Sequence, residues 1–286
     1  MTALFVKQLT TLDFSYLNPK RGLVGETWLV DVTLTGDLDK RGMVFDFGHV
    51  KKQVKASLDT LADHRLLVPM ATSETEIERN HGQLTVRFQG KSGDIVCTTP
   101  AQAMLLVDAQ QITPETLKPI LETELLKELP DSVEGVSLHL YPEEIGGAYY
   151  HYSHGLKKHL GDCQRIAHGH RSQIRVFVDQ QRDQVLEAFW SKRWRDIYIA
   201  TREDLKETFY VCQTEYYCFS YTSGQGYFEL KIPSSDCYLI DTDTTVELLA
   251  EHMAAELSRK KGQDREIEVI AFEGLNKGAI ASLPMH

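Results

Sequence analysis

Tyr150-His151-Tyr152-Ser153-His154 leads across a loop into His168-Gly169-His170 and then Gln173-Ile174-Arg175-Val176-Phe177-Val178. Apolar and polar residues alternate in the last segment, which marks a strand, and the first segment reads as its hairpin partner. Side chains at i and i+2 of an extended segment share a face, so His168 and His170 stand side by side. His154 on the neighbouring strand brings a third imidazole, and three histidines with an open fourth position are the ligand set of a catalytic zinc site. Five of the eleven histidines, His151, His154, His159, His168 and His170, fall within twenty residues. On the residues alone His151 and His159 remain alternative ligands.

Working outward, the same pattern occurs near the start of the chain. Leu12-Asp13-Phe14-Ser15-Tyr16 leads through a short basic loop to Gly25-Glu26-Thr27-Trp28-Leu29-Val30-Asp31-Val32-Thr33-Leu34, again an alternating strand. Internal repeats of this kind govern the fold assignment. In each copy a second strand is expected to run into a helix: Gly42 to Phe47 into Val50 to Leu61, and Asp196 to Ala200 into Arg202 to Tyr210. Later helices begin at Thr113-Pro114-Glu115 and at Thr244 or Thr245, where threonine N-caps are followed by glutamate in the first turn. Closing strands follow at Gly135 to Tyr141 and Glu266 to Phe272. The expectation is an α+β protein of two units, 1–147 and 148–286, each an antiparallel sheet with two helices on one face. Residues 73–93 and 212–226 read as insertions or extra hairpins at matching places.

Composition fits this plan. With 286 residues, 42% hydrophobic and 25% charged, the chain can bury two cores and has the make-up of an ordinary globular protein. A net charge of −10 argues against a broad nucleic-acid-binding face, which needs clustered Lys and Arg. The first twenty residues carry no signal-peptide pattern, and no apolar run reaches the roughly eighteen residues of a membrane span. A soluble, cytoplasmic protein is expected. Five cysteines, Cys97, Cys163, Cys212, Cys218 and Cys237, form no paired framework.

The run Tyr150 to Leu156, then Cys163, then His168-Gly169-His170 resembles the metal-and-cysteine signature of 6-pyruvoyl/6-carboxy-tetrahydropterin synthases. The first half carries two more of the family's stretches, Gly42-Met43-Val44-Phe45-Asp46-Phe47 and Leu61-Ala62-Asp63-His64-Arg65-Leu66-Leu67. The resemblance implies tunnelling-fold (T-fold) units and a zinc ion on His154, His168 and His170. It implies Cys163 and the Asp63-His64 pair as catalytic groups, and Glu273, within Phe272-Glu273-Gly274, as the anchor of a pterin ring. Thr245 and Arg165 are expected as further substrate contacts, and Lys157, Lys158 and Arg171 could also meet a triphosphate. The implied substrate is 7,8-dihydroneopterin triphosphate and the implied product 6-carboxy-tetrahydropterin, on the way to deazapurine nucleosides such as queuosine.

Departures from the pattern are divided between the halves. Where ligands are expected, the first half has Asn18, Val24 and Glu26, and where an Asp-His pair is expected the second has Val211-Cys212-Gln213-Thr214-Glu215. Sites in the family form between neighbouring subunits, so the resemblance implies one composite site: metal, Cys163 and Glu273 from the second unit, Asp63 and His64 from the first. It also implies a homo-oligomer, such as a trimer of fused pairs.

Overall fold

A computed structural model describes residues 2–261 and 264–284. In the first half β1 (Thr2–Asn18), β2 (Gly22–Gly36), α1 (Phe47–Leu61) and β3 (Leu66–Pro69) precede β4 (Thr75–Asn80), β5 (Gln83–Gln89), β6 (Asp94–Pro100) and β7 (Met104–Val107). Then come α2 (Pro114–Glu128) and β8 (Val133–Pro142). The second half repeats the order with β9 (Tyr149–His154), β10 (His168–Val178), the short β11 (Gln181–Arg182), α3 (Gln184–Arg193) and β12 (Ile197–Thr201). It continues through β13 (Leu205–Val211), β14 (Thr214–Ser223), β15 (Gly226–Pro233), β16 (Cys237–Ile240), α4 (Val246–Lys261), β17 (Ile267–Phe272) and β18 (Gly278–Leu283).

Each half builds one mixed sheet covered by two helices. The first has the order β7-β3-β1-β2-β8 and the second β16-β12-β9-β10-β17-β18. The β1–β2 and β9–β10 pairs are antiparallel, whereas β3 and β12 join in parallel, because each returns through a helix rather than a tight turn. Val50, Val54 and Leu58 of α1 and Leu117, Leu121 and Leu125 of α2 recur at helical spacing. They share one core with Phe14, Trp28, Val30 and Val32. In the second half Trp190, Trp194, Leu249, Met253 and Leu257 pack over Tyr150, Ile174, Val176 and Val269. Thr113 caps α2 through a capping box, as its Thr-Pro-Glu start requires.

The hairpins expected as insertions serve both halves. β4–β6 and β13–β15 join through antiparallel pairing of β6 with β15, Leu230 opposite Cys97, into one sheet ordered β13-β14-β15-β6-β5-β4. Its apolar face, with Phe88, Ile95, Phe219 and Leu230, packs on Leu17, Leu23, Ile166 and Tyr198 from both units.

Two local expectations need correction. Gly42 to Phe47 is not a strand: Gly42 takes a left-handed φ of 77°, Asp46 caps α1 by accepting from the Gly48 N–H at 2.8 Å, and Phe47 is the first residue of that helix. Arg202 to Tyr210 is not a helix. After a single 3-10 turn the chain enters β13, where Thr208, Phe209, Tyr210 and Val211 pair with β14, and β-branched and aromatic residues outweigh the Glu and Lys content of the segment. The helix of this unit is α3, which precedes β12 and is capped by Asp183 accepting from Val185 and Leu186. No helix among the described residues is long and apolar enough to cross a membrane.

Candidate metal centre and composite site

The β9–β10 register sets His154 opposite His168, and His170 follows on the same face. One ligand atom from each of the three lies within 4.8 Å of the others, and the side chains are essentially excluded from solvent. Second partners fix the rings: Nδ1 of His154 faces the carbonyl and hydroxyl of Thr244, each at 3.0 Å, and Nδ1 of His168 faces the Arg165 carbonyl at 2.9 Å. A carbonyl only accepts, so Nδ1 donates in both and Nε2 is left as a lone pair. Burial, and then the neighbouring imidazoles, hold His154 and His168 well below the usual histidine range, keeping them in the neutral form that ligates. Nε2 of His154 and both ring nitrogens of His170 are buried without a hydrogen-bond partner. Such orphaned atoms are costly, and a divalent cation among the three imidazoles satisfies the two Nε2 atoms. The residues fit a zinc-type ion.

The first unit supplies the opposite wall. Asp63 and His64 form the turn between α1 and β3, where His64 adopts φ 53°. That left-handed step lets adjacent residues face one another: Nδ1 of His64 lies 2.6 Å from Asp63 Oδ2. The His64 ring sits 5.0 Å from that of His168 and 6.3 Å from that of His170, centroid to centroid. Burial disfavours the charged imidazole, but the carboxylate of Asp63 and the adjoining Cys163 push its pKa up to about 10. Cys163, half-buried, belongs to the short turn before β10, and its sulfur lies within 4.8 Å of donor atoms of His64 and His168. The intramolecular contact thus brings Asp63, His64 and Cys163 to the histidine cluster.

Glu273 closes the far side, with Oε1 3.9 Å from Nε2 of His170 and Oε2 3.9 Å from the Lys277 ammonium. Arg165 lies buried beside the turn of Asp63 and His64. Its guanidinium pairs with Asp162 at 2.8 Å and donates to the Asp63 carbonyl at 3.2 Å, which holds the Asp63-His64 turn. Thr245 caps α4, its hydroxyl accepting from the Leu248 N–H at 3.4 Å, while its neighbour Thr244 faces His154. Lys157 and Lys158 are paired with Asp204 and Asp243, and Arg171 lies over the Tyr149 ring.

Asp13, Thr244 and Lys277 are site residues that sequence reasoning missed. Asp13 lies 2% exposed on β1, with Oδ1 3.3 Å from Nδ1 of His170. It accepts from the Thr27 hydroxyl at 2.6 Å and from Lys277 at 3.2 Å. Burial opposes its charge, yet the His170 imidazole and then the Lys277 ammonium hold the carboxyl well below the usual range. Its backbone also clasps the Asp63-His64 pair, donating to Asp63 Oδ1 at 2.7 Å and accepting from the His64 N–H at 2.6 Å. An acidic residue inside an apolar strand was the available signal.

The two units meet where the Ser15 hydroxyl donates to that of Ser153 at 2.7 Å. Ser15 pairs with Gly25 as Ser153 pairs with Gly169, and the glycines lie back to back. A Cβ on Gly169 would stand 2.3 Å from the Tyr152 carbonyl and 2.6 Å from Gly25 Cα. This register corrects the repeat alignment: Tyr16, Val24 and Glu26, rather than Asn18, Val24 and Glu26, stand where the second unit has His154, His168 and His170. Asp196, with φ 53° like His64, rather than the 211–215 segment, takes the place of His64. At this mate position Arg21 donates to Asp196 at 2.5 and 3.0 Å and to the Tyr16 hydroxyl at 2.9 Å. A guanidinium of the chain itself therefore supplies positive charge there.

The family model for 6-pyruvoyl tetrahydropterin synthase matches residues 10–133, which include Asp13 and the Asp63-His64 pair and end before the histidine cluster. Over this stretch the chain is similar to the 6-pyruvoyl tetrahydropterin synthase family. A Pyrococcus abyssi protein named by inference as a 6-carboxy-5,6,7,8-tetrahydropterin synthase is 22% identical over 132 residues, 46% of this chain and 76% of that protein. A Pyrococcus horikoshii protein of the same name is 27% identical over 106 residues, 37% of this chain and 59% of that one. Among solved structures, a catalytic-residue mutant of Plasmodium vivax 6-pyruvoyltetrahydropterin synthase aligns at 18% identity and a TM-score of 0.40, covering 49% of this chain and 90% of its own.

Proposed function

We propose that this chain is a zinc-dependent lyase that converts 7,8-dihydroneopterin triphosphate to 6-carboxy-tetrahydropterin, with its two units, 1–147 and 148–286, sharing one composite active site. The convergence of the Asp63-His64 pair from one unit on the three imidazoles of the other carries this reading. His154, His168 and His170 hold the ion. When bound, it supplies Lewis acidity to side-chain oxygens of the substrate.

The remaining chemistry is assigned to the chain's own groups. Cys163 and His64 face one another beside His168, the arrangement needed for one group to remove a proton and another to deliver one. Asp63 fixes the tautomer of His64 and favours its charged form. Glu273, at the end of β17, accepts from the amino and ring N–H groups of the pterin, for which a carboxylate offers two oxygens. Thr245 is assigned an outer substrate contact through its helix cap, and Arg165 acts by holding the Asp63-His64 turn. The protein is read as a cytoplasmic homo-oligomer serving deazapurine synthesis.

Incubation of the zinc-loaded protein with 7,8-dihydroneopterin triphosphate, followed by product mass, tests the assignment. The mass of 6-carboxy-tetrahydropterin is expected. The mass of the 6-pyruvoyl compound replaces the product assignment, and recovery of unchanged substrate indicates a pterin-binding protein without turnover.

A further inference from the structure

The geometry points to a second, outer metal position made by His64, Cys163 and His168, mutually exclusive with the three-imidazole position and reached first by an incoming ion. This rests on the reading of His154, His168 and His170 as ligands, and extends it to how the ion arrives and where it can be held inactive.

Each of the three residues offers a donor atom, and these lie within 4.8 Å of one another, the same bound as the inner set. Asp63 engages Nδ1 of His64, which leaves Nε2 to ligate and gives that imidazole the carboxylate backing typical of metal-bound histidines. The Arg165 carbonyl engages Nδ1 of His168, so His168 has only Nε2 to offer and cannot serve both positions at once. It is the shared pivot.

The two positions differ in depth and in donor type. His154, His168 and His170 are at most 1% exposed, whereas His64 keeps 15% of its side chain accessible and Cys163 is half-buried. An ion entering from solvent therefore meets the thiol and His64 before the inner imidazoles. One thiolate with two imidazoles is a favourable donor set for zinc or cobalt(II). Ligation releases the thiol proton to solvent, together with the His64 proton if that ring is charged, and involves no change of oxidation state. An ion at the outer position ties up both proposed proton-transfer groups, so the chain is inactive until the ion moves inward.

Cobalt(II) titration of the full-length chain tests this, because a cobalt–thiolate bond gives an intense near-ultraviolet charge-transfer band that all-imidazole ligation lacks. His154→Ala removes the inner set and leaves the outer one intact, and His170→Ala is a second variant doing the same. Each is checked for a wild-type circular dichroism spectrum before titration. One cobalt per chain with the charge-transfer band is expected in each variant that folds, and loss of that band on adding Cys163→Ala. A folded His154→Ala or His170→Ala chain that binds cobalt without the band, or binds none, overturns the outer position. Wild type that shows the band at full occupancy instead of an all-nitrogen spectrum contradicts the inner assignment and leaves the outer one standing, so the two failures are distinguishable.

Discussion

The Asp13 carboxylate of the first unit lies 3.3 Å from Nδ1 of His170 in the second. One unit therefore sets a buried carboxylate beside a proposed ligand of the other. Outer partners of metal-bound histidines typically change affinity by about 10–100-fold. Asp13→Asn is expected to weaken zinc binding by about that factor, measured by competition with a chromogenic chelator. An affinity equal to wild type removes the orienting role.

His64→Ala and Cys163→Ala address the proposed proton-transfer groups. Both side chains lie outside the inner ligand set, so zinc content is expected to stay at one per chain. Turnover of dihydroneopterin triphosphate is expected to fall about 10²–10⁴-fold, the usual contribution of a positioned acid or base. Turnover unchanged in both variants would falsify their assignment.

Gly25 and Gly169 let the backbones of the two units approach closely beside the histidine cluster. A Cβ on Gly25 would stand 1.8 Å from the Tyr152 carbonyl, a backbone clash that no rotamer relieves. Gly25→Ala is expected to cost more than about 4 kcal/mol, in the range reserved for strongly disruptive substitutions, read from the urea midpoint. A loss under about 1 kcal/mol means that the units do not depend on this contact.

Much of the site was legible because it repeats with period two: His168 and His170 share a strand face whatever the fold around them. Asp63-His64 was visible as a dipeptide, and the need for a turn there follows from the opposed directions of adjacent strand residues, which the φ of 53° at His64 supplies. Its place against His168 depends on contacts between chain segments about a hundred residues apart, and local pattern carries no such information. The same holds for Asp13 and Thr244, whose partners lie in the other unit or across a sheet. The misread segments have a different cause. Gly42 to Phe47 has strand-like apolar residues, but Gly42 and the capping Asp46 decide its conformation, and 202–211 mixes helix-favouring Glu and Lys with β-favouring Thr, Phe, Tyr and Val that the partner strand selects.

Glu26, in the mate of the metal centre, gives a pH signature separable from the ligands. Burial, outweighing the Thr27 N–H and the nearby Arg171 and Arg21, raises its pKa to about 7. A carboxyl that binds its proton more tightly when folded loses stability as pH rises from its unfolded value near 4.5 to about 7, and the penalty is constant above that. Glu26→Gln abolishes this slope. The stability of the variant relative to wild type is expected to increase between pH 4.5 and 8, by on the order of 3 kcal/mol, measured by urea unfolding at each pH. A difference independent of pH shows that Glu26 does not titrate in this window.

Metal analysis of the wild-type chain beside His168→Ala, both purified in zinc-containing buffer and dialysed, bears most directly on the three-imidazole centre. Wild type is expected to retain one zinc per chain and His168→Ala, which removes the ligand common to both metal groupings, to retain essentially none. A wild-type chain free of metal, or a His168→Ala chain with undiminished zinc, contradicts the account.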